Sequence, residues 1–391
     1  MDSADRQRLL ILAAIVALGP LSIDMYLPSL PALQRHFGSD AASAQLTLSA
    51  YFLGLAFGQM IYGPVSDHIG RKGPLLFGLG LYLIASLGCI FAPDIGSLTL
   101  LRLVQALGGC AGMVITRAIV RDLYPPQEMA RVLSLLVLIM GIAPILAPLA
   151  GGWVFQHGGW QAIFAVLVAY GALCLLLVSR RLPETLVPTG APLRLAVVLG
   201  GYARLLAHRR FMGYALSGGI AQSGMFAYIA ASSFVFMELH GLSATAYALL
   251  FGGNAFGLIL ASQLNARLLR HLRSERVLRL ALATYAVGGL ALLTAAVTGI
   301  GGFIGLGVPL FVCVASLGFT FPNSTAAAMA PFGDRAGTAS ALLGTLQFAF
   351  AFLSSSLVAH LHDGTALPMA AVIAGCGALA FLLLHTLAPA R

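Results

Sequence analysis

Long apolar runs free of Asp, Glu, Lys and Arg dominate the chain, and their lengths point to a bundle of membrane-crossing helices. The runs occupy residues 41–66, 73–93, 132–179, 211–237, 239–266, 280–333, 336–362 and 364–390. A helix needs ~20 apolar residues, at ~1.5 Å each, to cross a hydrocarbon core ~30 Å thick. Every run is long enough for one crossing. Runs 132–179 and 280–333 are long enough for two, with Gly158-Gly159 and Gly299-Ile300-Gly301-Gly302 as the turns within them. Residues 9–28, and residues 96–120 with Arg102 and Arg117 inside them, complete twelve predicted helices. Arg6 and Arg8 ahead of an apolar stretch mimic a secretory leader. Asp24 and prolines stand where a small-residue cleavage site belongs, so the first helix is expected to stay.

Composition turns this reading into an exclusion. Of 391 residues, 59% are hydrophobic and 9% charged, against about 25% charged in a soluble domain. There are too few polar groups to coat a water-soluble fold. The net charge of +9 does not indicate nucleic-acid binding, because the arginines stand singly or in small groups between uncharged runs. They read instead as a topological signal. Nineteen of the 22 Lys and Arg fall in connections on the side of the N-terminus, Arg35 alone falls on the other, and Arg102 and Arg117 lie within a span. Positive charge marks the cytoplasmic side, so both termini are expected there.

The longest of these connections divides the chain into an N-terminal six-helix half over residues 1–185, a cytoplasmic linker over 186–210, and a C-terminal six-helix half over 211–391. Pro183, Pro188 and Pro192 keep its first part from continuing helix six. The expected fold is an all-α membrane protein of two six-helix halves, and paired repeats around a midplane site point to secondary transport. Cys89, Cys110, Cys174, Cys313 and Cys376 fall inside spans without metal-ligand spacing, and no phosphate-binding GxxxxGK[ST] loop exists. The expectation is therefore no metal and no cofactor, with an ion gradient as the source of work.

Asp24 is the acidic residue well inside a span. A carboxylate there costs ~3 kcal/mol on insertion scales, which makes it a functional candidate. It lies ~22 Å beyond Leu9, and Arg102 lies ~9 Å from the outer face, so the two charges are at similar depth. They are most cheaply buried facing each other or a shared water cavity. A conformational change in their separation would then load or release a proton. Gln105, one helical turn from Arg102, shares its face. The second half has no charge deep in a span. Its polar candidates are Gln222, Asn254, Asn323 and Gln347, accompanied by Phe226, Tyr228, Phe251, Phe319, Phe321, Phe348 and Phe350. Aromatic walls with a few hydrogen-bonding groups suit an amphipathic, weakly polar solute.

Gly63-Pro-Val-Ser-Asp67-His-Ile-Gly70-Arg71-Lys72 closely resembles the G-x-x-x-D-x-x-G-R-K signature of the major facilitator superfamily. Asp67 and Arg71 can pair with Arg121, Asp122, Arg131 or Glu184, and the resemblance implies that such pairing latches the two halves on the inside. Arg102-Leu-Val-Gln105-Ala106 resembles the R-x-x-Q-G motif of helix four. Residues Ala143-Pro144 through Ala147-Pro148 to Gly151-Gly152 resemble the G-P-x-x-G-G motif of helix five in antiporters. Prolines kink such a helix and small residues let it approach its neighbour.

Over nearly the whole chain the similarity is to the Bcr/CflA-type bicyclomycin and chloramphenicol resistance drug/proton antiporters. It is carried by Asp24 to Pro31, Gln45 to Tyr51, Gly58-Gln59, Arg117 to Asp122, Gly159 to Phe164 and Leu182 to Thr185. That resemblance implies that Asp24 is a proton and substrate site organised by Arg102. Some related antiporters carry a second helix-one acid where this chain has Val16. The expected substrate-binding set is Asp24, Tyr26, Tyr51, Gln59, Arg102, Gln105, Phe226, Tyr228, Asn254 and Gln347. The expected gate is Asp67, Gly70, Arg71, Arg121, Asp122, Arg131 and Glu184.

The sequence thus reads as a monomeric, multi-pass exporter of the bacterial inner membrane. Its partners would be a small amphipathic drug-like substrate, protons and the lipid bilayer, with no nucleic acid. The alternatives are a proton-coupled uptake symporter for a nutrient and, from another class, a membrane-bound solute receptor or enzyme. Neither a soluble effector domain nor a nucleophile/base constellation supports the latter pair.

Overall fold

The computed structural model describes residues 3–186, 195–332 and 336–388; the side chain of Arg131 lies outside that description. Thirteen α-helices run in order: α1 (Ser3–Asp24), α2 (Leu30–Phe37), α3 (Ala41–Ile69), α4 (Lys72–Ile90), α5 (Ile95–Leu123), α6 (Pro126–Arg181), α7 (Leu195–Leu206), α8 (Arg209–Ser233), α9 (Ala244–Leu268), α10 (Ser274–Thr298), α11 (Gly302–Met329), α12 (Ala336–His360) and α13 (Leu367–Leu387). Short polar signals set their ends. Asp40 and Asp94 cap α3 and α5 by accepting the backbone N–H of Ser43 and Ser97, each at 2.8 Å. Ser243 caps α9 in the same way.

Two of the predicted turns form where glycine permits them. Gly159 interrupts α6 with φ 73°, so this 56-residue element, ~84 Å long if straight, is two crossings. Gly299, Gly301 and Gly302, all at positive φ, join α10 to α11. Counting α6 as two, the described helices make twelve crossings. The first crossing departs from expectation. It does not stop near Pro28, because a 3-10 turn at Leu27–Ser29 carries the chain into α2 and on to Phe37. The linker also holds a helix of its own, α7, and α8 begins at Arg209.

The two halves repeat one packing scheme. In the first, α3 and α4 pack on α5, and α1 and α4 pack on α6; in the second, α9 and α10 pack on α11, and α8 and α10 pack on α13. The seam between halves is built by α3 against α12 and by α6 against α9. Small residues let the seam close: a Cβ on Gly141 would meet the Ile259 side chain at 3.2 Å, and one on Gly252 would meet Ile145 at 3.4 Å. Outward faces are apolar, as with Phe77 and Ile84 of α4, both more than two-thirds exposed. Lipid therefore replaces water as the covering solvent.

Candidate functional site

Asp24 is the last residue of α1, and the regular helix stops there. The interruption is pinned from several sides. Tyr26 Oη shares a hydrogen bond with Thr47 Oγ1 of α3 at 2.8 Å, and Ser29 Oγ donates to the Tyr26 carbonyl at 2.7 Å. Gly151 of α6 lies directly on the Met25 carbonyl, where any Cβ would overlap it. The helix-five glycine is thus a seat for the broken end of α1. Gly152 faces the other half instead, with Ala244 as its nearest neighbour. Pro144 and Pro148 lie within the same unbroken first crossing of α6.

The Asp24 side chain is 4% exposed and, among the described residues, has no hydrogen-bond or ion-pair partner. It lies within electrostatic reach of Tyr51 in its own half and of Tyr228 and Tyr247 in the other. The carboxyl therefore sits at the seam. Tyr228 accepts a hydrogen bond from Asn254 Nδ2 at 3.0 Å and stacks on Phe251 at 5.5 Å. Tyr247 shares one with Ser232 at 2.8 Å. Phe226 reaches across to Phe52 at 4.7 Å and packs on Phe348 at 5.9 Å.

Arg102 is fully buried but does not pair with Asp24. Its Nη1 donates to Gln105 Oε1 at 2.6 Å and its Nη2 to the Ser22 carbonyl at 3.0 Å. The guanidinium carbon stands 4.5 Å from the ring centre of Tyr26 and 4.3 Å from that of Tyr51, with Phe164 at 5.9 Å. Gln105 passes the network on to Ser86 Oγ at 2.7 Å. Two aromatic faces, each worth ~2 kcal/mol for a desolvated cation, replace the expected carboxylate. The expectation of two charges facing each other is corrected in this respect: the depths match, but the directions do not. Tyr26, Tyr51 and Gln105 hold Arg102 and are themselves buried.

The other expected contacts divide similarly. Asp24, Tyr228, Asn254 and Phe226 gather about the seam. Gln59 is also a seam residue, its amide against Gly344 of α12. Gln347 is half-buried on α12. Tyr247, Ser232 and Phe52 were not singled out from the sequence, which does not show which of the many rings and hydroxyls in apolar runs face the seam.

At the arginine-rich face, Arg71 organises the motif residues. It pairs with Asp67 at 2.5 Å and with Asp122 at 2.8 Å, and Arg121 pairs with Asp67 at 3.4 Å. Glu184 accepts the backbone N–H of Arg71 at 2.7 Å and of Lys72 at 3.0 Å. Partial burial works to raise the Glu184 pKa, but these bonds and those from Leu186 and Thr185 prevail and hold it below its ordinary value. Gly70 has φ 98°, and a Cβ there would come within 2.7 Å of the Glu184 carboxylate, so both conformation and space require glycine. The ion pairs join α3, the α3–α4 turn and α5, and the Glu184 hydrogen bonds add the segment after α6. They staple one half internally rather than tying the two together. Across the seam on this side, Arg121 lies near Gly337 in the first turn of α12. Arg131, the remaining expected gate residue, has its side chain outside the described residues.

Asp24 is thus a carboxyl with no partner among the described residues, at a helix break between two packed halves. Among the described residues no cluster of potential metal ligands accompanies it. Comparison with known proteins agrees with this architecture. The family model described as Major Facilitator Superfamily matches residues 12–355. A bicyclomycin resistance protein homolog of Haemophilus influenzae is 31% identical over 97% of this chain and 95% of its own length. The multidrug resistance protein D of Escherichia coli is 31% identical over 87% of this chain and 85% of its own. A partially occluded, inward-open structure of the E. coli xylose transporter superposes with a TM-score of 0.78 at 15% identity, covering 99% of this chain and 98% of that one.

Proposed function

The chain belongs to the Major Facilitator Superfamily, and from that premise we propose that it exports small amphipathic drug-like molecules in exchange for inward-moving protons. It is a transporter rather than an enzyme, a multi-pass protein of the bacterial inner membrane. The observation that carries the antiport reading is Asp24: a carboxyl without donor or counter-ion, held at a helix break on the seam. Charge on it is uncompensated while the halves are closed. Opening one side hydrates it; opening the other hydrates it from the opposite solution. A proton taken up outside and given up inside would then be exchanged for a substrate held between Asp24, Tyr228, Asn254 and the Phe226 and Phe251 rings. Relatives named for bicyclomycin and multidrug resistance favour drug-like substrates.

Proteoliposomes with a labelled phenicol antibiotic test the direction. An acidic lumen should drive the drug into the lumen. Accumulation driven only by acid on the outside would establish symport instead.

A further inference from the structure

Helix α7 packs on α12 and α8, apart from the Asp24 site. Only Ala207 and His208 separate its end from the first residue of α8. It rests on the first turn of α12, where a Cβ on Gly201 would meet the Thr338 side chain at 3.4 Å. Its Tyr202 lies within electrostatic reach of Asp67, near the end of α3. Three crossings begin or end at this level, so α7 lies where the hydrocarbon core gives way to lipid headgroups on the arginine-rich face.

The two faces of α7 differ in what they meet. Tyr202 and Leu205 are buried against the bundle, whereas Leu199, Ala203 and Leu206 point away from it. Leu199 is 58% exposed and Leu206 46%. Such a stripe is costly in water but is buried among acyl chains when the helix lies in a bilayer surface. Arg204, five residues from Leu199, stands about 140° around the helix from it, on the other border of the outward face.

The charge beside the stripe is positive and largely uncompensated. Arg204 Nε donates to the Gly200 carbonyl of its own helix at 3.1 Å, and among the described residues no carboxylate pairs with it. Arg209 donates from Nη2 to the Thr386 carbonyl at 2.9 Å. Arg210 lies 3.8 Å from Glu275, both side chains being about half exposed. Three guanidinium groups thus stand against one acid. A planar guanidinium presents paired donors that match two phosphate oxygens. An apolar stripe bordered by arginines complements a lipid of net negative charge better than a zwitterionic one.

We infer that α7 and the start of α8 form a binding site for an anionic phospholipid. Arg204 takes the headgroup phosphate in the positive field of Arg209 and Arg210, and the acyl chains lie against Leu199 and Leu206. The inference depends neither on the direction of transport nor on Asp24.

Native mass spectrometry of the purified full-length protein reads the site directly, with separate titrations of phosphatidylglycerol and phosphatidylethanolamine carrying the same acyl chains. Wild type should bind phosphatidylglycerol about tenfold more tightly. Arg204→Gln should weaken phosphatidylglycerol about fivefold and leave phosphatidylethanolamine unchanged. Arg204→Glu should weaken it further, and Arg204→Lys should keep the preference. Leu199→Ser combined with Leu206→Ser should weaken both lipids alike. Arg276→Gln, at an exposed arginine of α10, should change neither. Equal affinity of wild type for the two lipids, a preference unchanged in Arg204→Gln and Arg204→Glu, or an equal loss in Arg276→Gln overturns the inference. So does a wild-type dimer that the paired serine substitution dissolves, because the stripe would then belong to a second copy of the chain.

Discussion

Arg102 donates to the carbonyl of Ser22 at 3.0 Å, two residues before Asp24, and not to the Asp24 carboxyl. The arginine thus fixes the backbone leading into the helix break, while the acid remains without a counter-ion. Its positive charge is met by the Tyr26 and Tyr51 rings and by Gln105.

Substituting Lys for Arg102 keeps the charge but cannot bridge Ser22 and Gln105 at once. Leaving those buried acceptors unmet should cost about 2–4 kcal/mol. Thermal unfolding of the detergent-solubilised variant should show the loss, with a fall in exchange rate larger than the fall in substrate affinity.

Gly151→Ala should be far more damaging than Gly152→Ala. The first places a methyl group on the Met25 carbonyl, whereas the second meets Ala244 at 3.8 Å, an ordinary contact. Overpacking of this kind costs about 1–3 kcal/mol. Transport rates of the two variants, compared at equal protein in the membrane, check the contrast.

Tyr228→Phe removes the partner of Asn254 Nδ2. A buried amide left unpaired costs about 1–3 kcal/mol. Because the pair borders Asp24 across the seam, substrate affinity should fall together with stability, and Asn254→Ala should recover part of the stability but none of the affinity. Equilibrium binding and unfolding measured on the same preparations separate the two effects.

Glu184 makes a prediction about pH. Its pKa in the folded protein is lowered, so its contribution is fully present above the ordinary glutamate pKa and disappears as pH falls through the lowered value. Glu184→Gln should be less stable than wild type near neutrality, by about 0.5 kcal/mol because water screens this exposed carboxylate. The gap should close in acid. Unfolding curves of both proteins across that range provide the check.

The crossings and the division into halves were legible because charge-free runs and arginine-bearing connections are direct consequences of a lipid solvent. Which face of each helix points inward was not. In α4, Phe77 and Ile84 meet lipid while Leu79 and Tyr82 are fully buried, and all four are apolar or aromatic. Scarcity of charge singled out Asp24 and Arg102, and residue counting placed them at one depth. Their rotation about the helix axes depends on packing, in particular on the aromatic cage that draws Arg102 toward α1 and α3. The gate pairs were legible as chemistry but not as partners, since only the fold shows that Arg71 takes both Asp67 and Asp122 while Glu184 accepts the backbone N–H groups of Arg71 and Lys72. Helix α7 was hidden by the prolines ahead of it.

The central claim is that Asp24 carries the coupled proton. Its most direct test compares wild type with Asp24→Asn in proteoliposomes, measuring acid-lumen-driven drug accumulation beside drug-for-drug counterflow. Wild type should do both, and Asp24→Asn should lose the proton-driven accumulation while keeping counterflow. Proton-driven accumulation at the wild-type rate in Asp24→Asn would contradict the account.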